Sequence, residues 1–273
     1  MKSDFDPQPH AEAMALIAGK PAVTRAVFDQ LLPELRGRVF TITGIEGANT
    51  LQRVRDTIAG LPQGGDDGTW DKVKQQVVDE LAPTLGDGAE RRAELLLRTH
   101  GFQAFQASNY RVIQADADTT HIQYLTMEDE NVRESHAALD GLVLPKDDPF
   151  WDTHTPPWDW GCRCRIRPMN PDLVDAARAE DAQQNNPEDR NVIEGPALDQ
   201  LRNGTLLRDG QRIDVTPPAE RADGGFAWHP DNLRLPLAEL EKRYDAPVFA
   251  AFKNFAQATQ LKKQSLWDWL SAG

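Results

Sequence analysis

Helical spacing of apolar residues is the main pattern along the N-terminal half of the chain. Four ranges have this spacing and are predicted to be helical: 9–36 with a break before Pro21, 48–60, 69–82 and 88–107. In the first range the apolar side chains recur at every fourth position, at Val23, Val27, Leu31 and Leu35. A short apolar run at 39–43 is predicted to be a strand or an extended crossing. The N-terminal half is therefore predicted to be mostly helical.

Strand patterns replace helical spacing near residue 120. Short runs rich in β-forming residues predict strands at 120–127, 141–145 and 162–168, and a loop rich in Pro and Trp separates the last two. The polar, acidic stretch 171–196 is predicted to be a helix that runs into a linker, and a late helix is predicted at 246–261. The predicted fold class is α+β, with a helical N-terminal half, a small β-sheet region and a C-terminal extension.

The same changes of pattern predict four segments. They are a helical N-terminal region at 1–85, a core carrying the strands at 86–170, an acidic helix or linker at 171–196, and a C-terminal extension at 197–273. A chain of 273 residues is long enough to bury a sizeable hydrophobic core. We therefore predict both a division into these four segments and a buried hydrophobic core.

Charge and hydropathy narrow the classes of function. The chain has 30 basic and 43 acidic residues, a net charge of −13, which opposes general binding to nucleic acid. No apolar run approaches the roughly 18 residues that a membrane-spanning helix needs, so a membrane protein is not expected. The N-terminus lacks a basic start followed by an apolar segment, so we expect no secretory signal. A reducing cytoplasm is the expected compartment, and disulfides are disfavoured there.

Both cysteines of the chain lie in one short stretch, "GCRCRIRP" at 161–168. If this stretch is extended, Cys162 and Cys164 lie on the same face. Positions two apart along a strand are separated by roughly 6.6 Å, whereas a disulfide needs β-carbons about 3.8 Å apart. A disulfide between these two residues is therefore not expected.

Two thiols on one face can share a zinc ion when histidines complete the ligand set. The candidate metal ligands are Cys162, Cys164, His136 and His154, with Asp140 as a further ligand or as a partner that orients His136, and with His121 as another nearby histidine. The alternative is that the cysteines are reduced, buried and packed as small apolar groups, or have a redox or nucleophilic role. Zinc, if bound, is predicted to be structural.

Arg163, Arg165 and Arg167 alternate with the cysteines and point to the opposite face. They are a candidate interaction surface for nucleic acid or for an acidic partner. The alternative is an exposed strand face paired with carboxylates. His136 with Asp140 could also form a catalytic base with its orienting carboxylate, but no serine elbow, phosphate loop or H-E-x-x-H motif accompanies them. We therefore predict that the protein is not an enzyme.

Residues 127–170 resemble the signature region of the phage Mu F-like head morphogenesis proteins, also called minor head proteins. That family has a D-x-x-V-R-x-x-H-x-x-L-D-G element, a spacer rich in Pro and aromatic residues, and then a P-P…G-C-R-C element. The matching residues are Asp129, Val132, Arg133, His136, Leu139, Asp140 and Gly141, followed by Pro156, Pro157, Gly161, Cys162, Arg163 and Cys164. A downstream G-F-x-x-x-P element is similar to "GGFAWHP" at 224–230, with Asp231 where a glycine commonly follows.

The resemblance implies a minor head (capsid) protein of a tailed phage that acts in procapsid morphogenesis near the portal. It implies the portal and/or the major coat protein as partners, the virion head as final location, and the host cytoplasm during assembly. Segment 86–170 would be the head-morphogenesis core. One rival function is a metal-dependent hydrolase or nuclease-like effector built on the His, Asp and Cys residues. The other is a DNA-binding protein that uses the three arginines, which the net charge does not favour.

Overall fold

The protein packs as two units in a computed structural model that describes residues 11–60, 67–159, 161–184, 186–217, 229–233 and 235–272. One unit combines Met1–Phe105 with Pro230–Gly273, and the other is Gln106–His229. The predicted α+β class is confirmed, with helices in the N-terminal half and small antiparallel sheets after residue 120. The four segments proposed from the sequence stay a prediction.

Helices build the N-terminal part of the first unit. They are α1 (Ala11–Gly19), α2 (Arg25–Asp29), α3 (Ala48–Ala59), α4 (Asp67–Leu85) and the start of α5 (Ala89–Ala115). Helix α3 shows why they pack: Leu51, Val54 and Ile58 recur at helical spacing and are completely buried against the neighbouring helices. Among the described residues, none of the helices combines the length and the apolar character needed to cross a bilayer.

The break predicted before Pro21 is present, but the helix predicted to follow it up to residue 36 is wrong beyond a short segment. Helix α2 has only five residues, and Pro33–Arg38 forms a 3-10 helix. Pro21 and Pro33 lack the amide hydrogen that a continuous helix needs, which explains the interruptions. Residues 39–43 form an extended crossing rather than a strand, because a single bridge joins Phe40 to Ala22. The G-F-x-x-x-P element and the start of the first predicted helix lie largely outside the described residues.

The last part of the predicted C-terminal extension, from Pro230 onward, belongs to the first unit and contributes to its core. It contains α10 (Leu237–Glu241), α11 (Ala246–Ala258) and α12 (Leu266–Ala272). Phe249, Phe252 and Leu270 are buried in one cluster with Val23, Leu31 and Leu35. Arg38 Nε donates a hydrogen bond of 2.6 Å to the carbonyl of Asn232. The extension therefore packs on residues near the start of the chain, and the apolar stripe predicted there faces it.

A three-stranded antiparallel sheet organises the second unit. Its strands are β1 (His121–Leu125), β2 (Val143–Pro145) and β3 (Arg165–Met169), in the order β2-β1-β3. Ile122 lies opposite Leu144, and Tyr124 lies opposite Ile166, so these four side chains share the buried face. The three predicted strands are confirmed, although each is shorter than its apolar run.

Short helices and a hairpin surround this sheet. The helices are α6 (Glu134–Ala137), α7 (Trp151–His154), α8 (Pro171–Asp181) and α9 (Pro196–Arg202). Strands β4 (Thr205–Arg208) and β5 (Gln211–Asp214) form the hairpin, whose turn at Asp209–Gly210 has positive φ at both residues. An Asp-Gly pair is typical of such turns, but the hairpin was not among the predicted elements. Leu206 and Val215 bury its inner side against the sheet.

Candidate metal centre

The two cysteines lie immediately before strand β3. Gly161 has φ 69°, and the Cys162 amide donates a 3.1 Å hydrogen bond to the carbonyl of Asp159, so a tight turn brings the chain into the strand. Cys162 and Cys164 are 6% and 3% exposed, whereas Arg163 points outward. The predicted alternation of buried thiols and outward arginines is therefore present, and both thiols are free.

His136 reaches the thiols from α6, which is a single helical turn. The carbonyl of Arg133 accepts hydrogen bonds from the amides of His136 and Ala137 and so starts the turn. The turn leads into Gly141, whose φ of 76° favours glycine. A β-carbon at Gly141 would lie 2.7 Å from Asn191 Oδ1, so any other residue at this position would also force the Asn191 side chain to move. The His136 side chain is buried.

His136, Cys162 and Cys164 form a group whose potential ligand atoms all lie within 4.8 Å of one another. The distance from Cys164 Sγ to His136 Nδ1 is 3.5 Å. Around a tetrahedral zinc ion with Zn–S of about 2.3 Å and Zn–N of about 2.05 Å, a sulfur ligand and a nitrogen ligand lie about 3.6 Å apart. Two thiol sulfurs and one imidazole nitrogen are also donors that zinc prefers. The three residues therefore fit a zinc ion in both donor type and spacing.

Two aromatic side chains enclose this His–Cys–Cys group. Trp158 stacks on the His136 ring with a centroid distance of 4.1 Å and an interplanar angle of 12°. Trp158 Nε1 donates a 2.8 Å hydrogen bond to the Tyr124 hydroxyl, which lies 3.4 Å from His136 Nδ1. Both aromatic side chains are almost completely buried. Their contacts fix the plane of the imidazole ring and hold Nδ1 toward Cys164.

The two thiols have pKa values shifted in opposite directions. A hydrogen bond from Cys164 lowers the pKa of Cys162 well below its ordinary value, and His136 lowers it further. The pKa of Cys164 is raised because this thiol donates to Cys162 and is also buried. Burial and the neighbouring thiols raise the pKa of Tyr124 well above 10. Cys162 is therefore deprotonated more readily than an isolated cysteine, and its thiolate is a suitable ligand for a metal cation.

A narrow pocket of ≈ 10 Å³ lies over the group and is bordered by Met127, Asn131 and Arg133 as well as by the three candidate ligands. A pocket of this size holds about one water molecule or one ion. His136 Nε2 is buried and has no hydrogen-bond partner among the described residues, so the imidazole is not fully satisfied in its present contacts. The pocket therefore gives a water molecule or an ion access to the group.

The structure does not bring His154 into the group. His154 Nε2 lies 2.8 Å from the carbonyl of Val215, and Nδ1 lies 3.2 Å from the carbonyl of Phe150. Its ring stacks on Phe150, and burial lowers its pKa to about 4. His154 therefore ties α7 to the end of the hairpin. His121 lies on β1, with Nδ1 2.9 Å from the Thr120 hydroxyl.

Asp140 also has a different partner from the one predicted. Its Oδ1 accepts hydrogen bonds from the Thr126 amide at 2.6 Å and from the Thr126 hydroxyl at 2.9 Å. These bonds fix the end of β1 against the turn that follows α6. Asp140 therefore positions the segment that carries His136 and does not contact the imidazole through a hydrogen bond in this arrangement.

The three arginines have different surroundings. Arg163 makes a two-pronged ion pair with Asp129, with distances of 2.7 and 2.6 Å. Arg165 and Arg167 are exposed on β3 and form no ion pair with a described residue. Arg133 lies 3.7 Å from Asp159. The signature residues Asp129, Arg133 and Arg163 thus connect the two chain segments whose buried side chains are His136, Cys162 and Cys164.

Four functional side chains were missed by the sequence reasoning. Tyr124 and Trp158 form the aromatic enclosure, and two buried amides on α5 hold the cysteine segment. Gln106 Nε2 donates to the carbonyl of Cys164 at 3.2 Å, and Asn109 Nδ2 donates to the carbonyl of Ile166 at 3.0 Å. The only sequence signal for these amides is polar residues on an otherwise apolar helix face.

The fold and the site define a small α+β protein in which a buried thiol–imidazole group joins a helical turn to a strand. Residues 52–167 match the model of the family described as Phage Mu protein F like protein. This stretch, from α3 to β3, is a Phage Mu F-like region, and the family resemblance found in the sequence is confirmed there.

Two relatives show the same similarity. The chain is 36% identical over 104 residues to the "Mu-like prophage FluMu F protein" of Haemophilus influenzae. It is 35% identical over 106 residues to the "Putative capsid assembly protein F" of Escherichia phage Mu. Each match covers 38% of this chain and 24% of the relative. The chain therefore matches about a quarter of the length of these curated relatives. No solved structure matches it.

Proposed function

We propose that this protein acts in the assembly of a phage head, as a minor head protein that contacts the portal or the major coat protein. The proposal is supported by the Phage Mu F-like region and by the relative named as a putative capsid assembly protein. It places the protein in the host cytoplasm during assembly and in the virion head afterwards. Binding to DNA through Arg165 and Arg167 is the less favoured role, since the chain as a whole is acidic.

The location of the signature residues is the observation that carries this proposal. They build a buried junction between α6 and β3, and among the described residues only a narrow pocket of ≈ 10 Å³ adjoins it. Residues used in this way fix the shape of a domain, and the function then lies on surfaces that the domain presents. This favours a protein that works by contact over one that works by catalysis.

We further propose that His136, Cys162 and Cys164 hold a structural zinc ion. Bound zinc would neutralise thiolate charge and link the two segments, so that its binding free energy stabilises the fold. The Nδ1–Sγ distance of 3.5 Å supports this proposal. The candidate ligand atoms come from three side chains, and the small pocket borders all three residues.

Deletion and complementation test the assembly role. A phage lacking the gene is expected to give defective heads, and the wild-type protein supplied in trans is expected to co-sediment with procapsids and restore infectivity. His136→Ala is expected to fail to restore it, whereas Lys72→Ala, at an exposed position on α4, is the matched control. Infectious heads formed without the protein would contradict the proposal.

A group of three candidate ligands among the described residues is also the observation that favours a second candidate function. Catalytic zinc sites have three protein ligands and an open position, so a metal-dependent hydrolase is the alternative. Hydrolysis of nucleic-acid or peptide substrates by the zinc-loaded protein, lost in His136→Ala, would favour it. Loss of head assembly in His136→Ala without any such hydrolysis would favour the structural role.

A further inference from the structure

A groove of ≈ 440 Å³ opens on the first unit, whereas the His–Cys–Cys group belongs to the second. It lies between the turn that follows α1, one face of α3 and the turn that precedes α12. Of the residues that line it, only Gln52 and Arg55 fall within the Phage Mu F-like region. The groove is therefore mainly a feature of the part of the chain that the family match does not cover.

Apolar and amide side chains form most of the groove. Pro21, Ala22, Leu261 and Trp269 supply the apolar part. Gln52 and Gln264 add amide groups, which can both donate and accept hydrogen bonds. A surface that combines an apolar floor with amides suits an extended peptide, because the peptide offers an apolar side chain and backbone polar groups together.

Among the described residues that line the groove, all the charged ones are basic, although the chain carries a net charge of −13. Arg55 is largely engaged, since Nη1 donates to the carbonyl of Lys20 at 2.7 Å and Nη2 contacts Asp56 Oδ1 at 2.6 Å. Lys262 Nζ donates to Gln52 Oε1, and Lys263 is exposed beside it. The two lysines therefore provide the cationic edge of the groove.

The turn that carries these lysines is held in place by backbone hydrogen bonds. The Leu261 amide donates to the carbonyl of Gln264 at 2.9 Å, and the Leu266 amide donates to the carbonyl of Thr259 at 2.8 Å. A bridge between Gln260 and Ser265 closes the same turn. The lysines are thus presented from a defined turn, so that binding a partner does not require the backbone of this turn to become ordered.

We propose that this groove binds an acidic peptide segment of a partner protein. An apolar side chain of the segment packs on Ala22, Leu261 and Trp269, and its carboxylates pair with Lys262 and Lys263. Nucleic acid is disfavoured as the occupant, because a phosphate backbone needs a longer row of cations than two lysines and gains little from an apolar floor. The inference goes beyond the proposed function and concerns a different surface from the metal centre.

Fluorescence anisotropy with a short fluorescein-labelled peptide of alternating glutamates and leucines tests the proposal. The full chain is expected to bind this peptide, and to bind it more weakly as salt is added, because exposed ion pairs are screened. Replacing the glutamates by glutamines, or the leucines by serines, is expected to reduce binding. The variant with Lys262→Glu and Lys263→Glu is expected to bind about tenfold more weakly.

Lys72→Glu is the matched control, since it makes the same charge change at an exposed position on α4. It is expected to bind the peptide as the wild type does. The melting temperature of each variant shows whether the fold is kept, and Lys263→Glu alone avoids breaking the contact between Lys262 and Gln52. Equal affinity in the wild type and the lysine variants would overturn the proposal. So would tighter binding of a labelled oligothymidine than of the peptide, when that binding is lost in the same variants.

Discussion

His136 Nδ1 lies 3.5 Å from Cys164 Sγ, although the two residues are 28 positions apart in the chain. The contact requires the chain to fold back between α6 and β3, so that a helical turn and a strand meet inside the second unit. Trp158 covers the other side of the imidazole ring. The pair therefore joins two segments that each contain half of the family signature.

Metal content is the first prediction. Protein purified under reducing conditions is expected to contain zinc near unit stoichiometry, because the donor set and the Nδ1–Sγ distance fit zinc. Cys164→Ser is expected to lose the zinc and to lower the free energy of unfolding by about 2–4 kcal/mol. Elemental analysis and urea unfolding measure the two effects.

Two histidine variants serve as controls for this prediction. His121→Ala is expected to keep the zinc, since its ring contacts the Thr120 hydroxyl and lies outside the group. His154→Ala is also expected to keep the zinc but to lose about 2–4 kcal/mol of stability, because a buried ring and its contact to Val215 are removed. Absence of zinc from the wild-type protein would contradict the metal proposal and favour the reading of buried reduced thiols.

Gly141→Ala is the second prediction. Alanine is strained at a φ of 76°, and its β-carbon would lie 2.7 Å from Asn191 Oδ1. The two effects together are expected to cost about 2–4 kcal/mol of unfolding free energy. Because Gly141 follows the turn that carries His136, zinc affinity is expected to fall as well. Urea unfolding and a competitive zinc titration measure the two outcomes.

Gly210→Ala separates strain from the steric clash. Gly210 lies in the hairpin turn and also has a positive φ, of 72°, but a β-carbon there would have nothing within 4 Å. It is expected to cost only about 1 kcal/mol. Adding Asn191→Ala to Gly141→Ala is expected to recover the part of the loss that is due to the clash. Equal losses in Gly141→Ala and Gly210→Ala would show that space beside Asn191 is unimportant.

The candidate site was partly predictable because strand geometry and the spacing of the signature residues can be read from short stretches of the sequence. Alternation alone places Cys162 and Cys164 on one face, and the signature suggests His136 as their neighbour. Sequence could not exclude His154, since its contact with the carbonyl of Val215 depends on the tertiary position of a hairpin that was not predicted. The same holds for Gln106 on α5, whose partner Cys164 is 58 positions away.

The fold was predictable where one periodicity ran without interruption, as in α3 and α11. It was not predictable near Pro33, where apolar spacing continues through two short helices while proline breaks the backbone pattern. Leu31 and Leu35 are buried, as the spacing of apolar residues predicted, but they do not lie in the continuous helix that the same spacing predicted. The spacing of apolar side chains therefore predicts which side of a segment is buried better than it predicts the backbone conformation.

The hydrogen bond between Trp158 and Tyr124 gives the third prediction. Trp158→Phe and Tyr124→Phe each remove the 2.8 Å bond from the indole nitrogen to the phenol oxygen. Tyr124→Phe is expected to cost about 1–2 kcal/mol, and Trp158→Phe more, because it also leaves space beside His136. The double variant is expected to lose less than the sum of the two. Strict additivity in a double-mutant cycle would argue against a shared hydrogen bond.

The ion pair between Asp129 and Arg163 gives the fourth prediction, which concerns pH. The hydrogen bond from Arg163 lowers the pKa of Asp129 below its ordinary value of 3.8. A carboxyl group with a lowered pKa in the folded state stabilises the protein above its unfolded pKa, and this contribution is lost as the pH falls through the folded value. The wild type is therefore expected to be more stable than Asp129→Asn at pH 7, and the difference is expected to disappear in strong acid.

Asparagine is the appropriate replacement because its amide oxygen can still accept the hydrogen bond that the Asn131 amide donates to Asp129 Oδ1. The substitution then removes mainly the charge. Asp152→Asn is the control, since Asp152 is exposed and forms no ion pair with a described residue, and it is expected to leave the pH dependence unchanged. Urea unfolding between pH 7 and pH 2.5, at low and high salt, measures the difference. If the stability gap persisted into strong acid, the contact between Asp129 and Arg163 would not be acting through charge, and the signature aspartate would need another explanation.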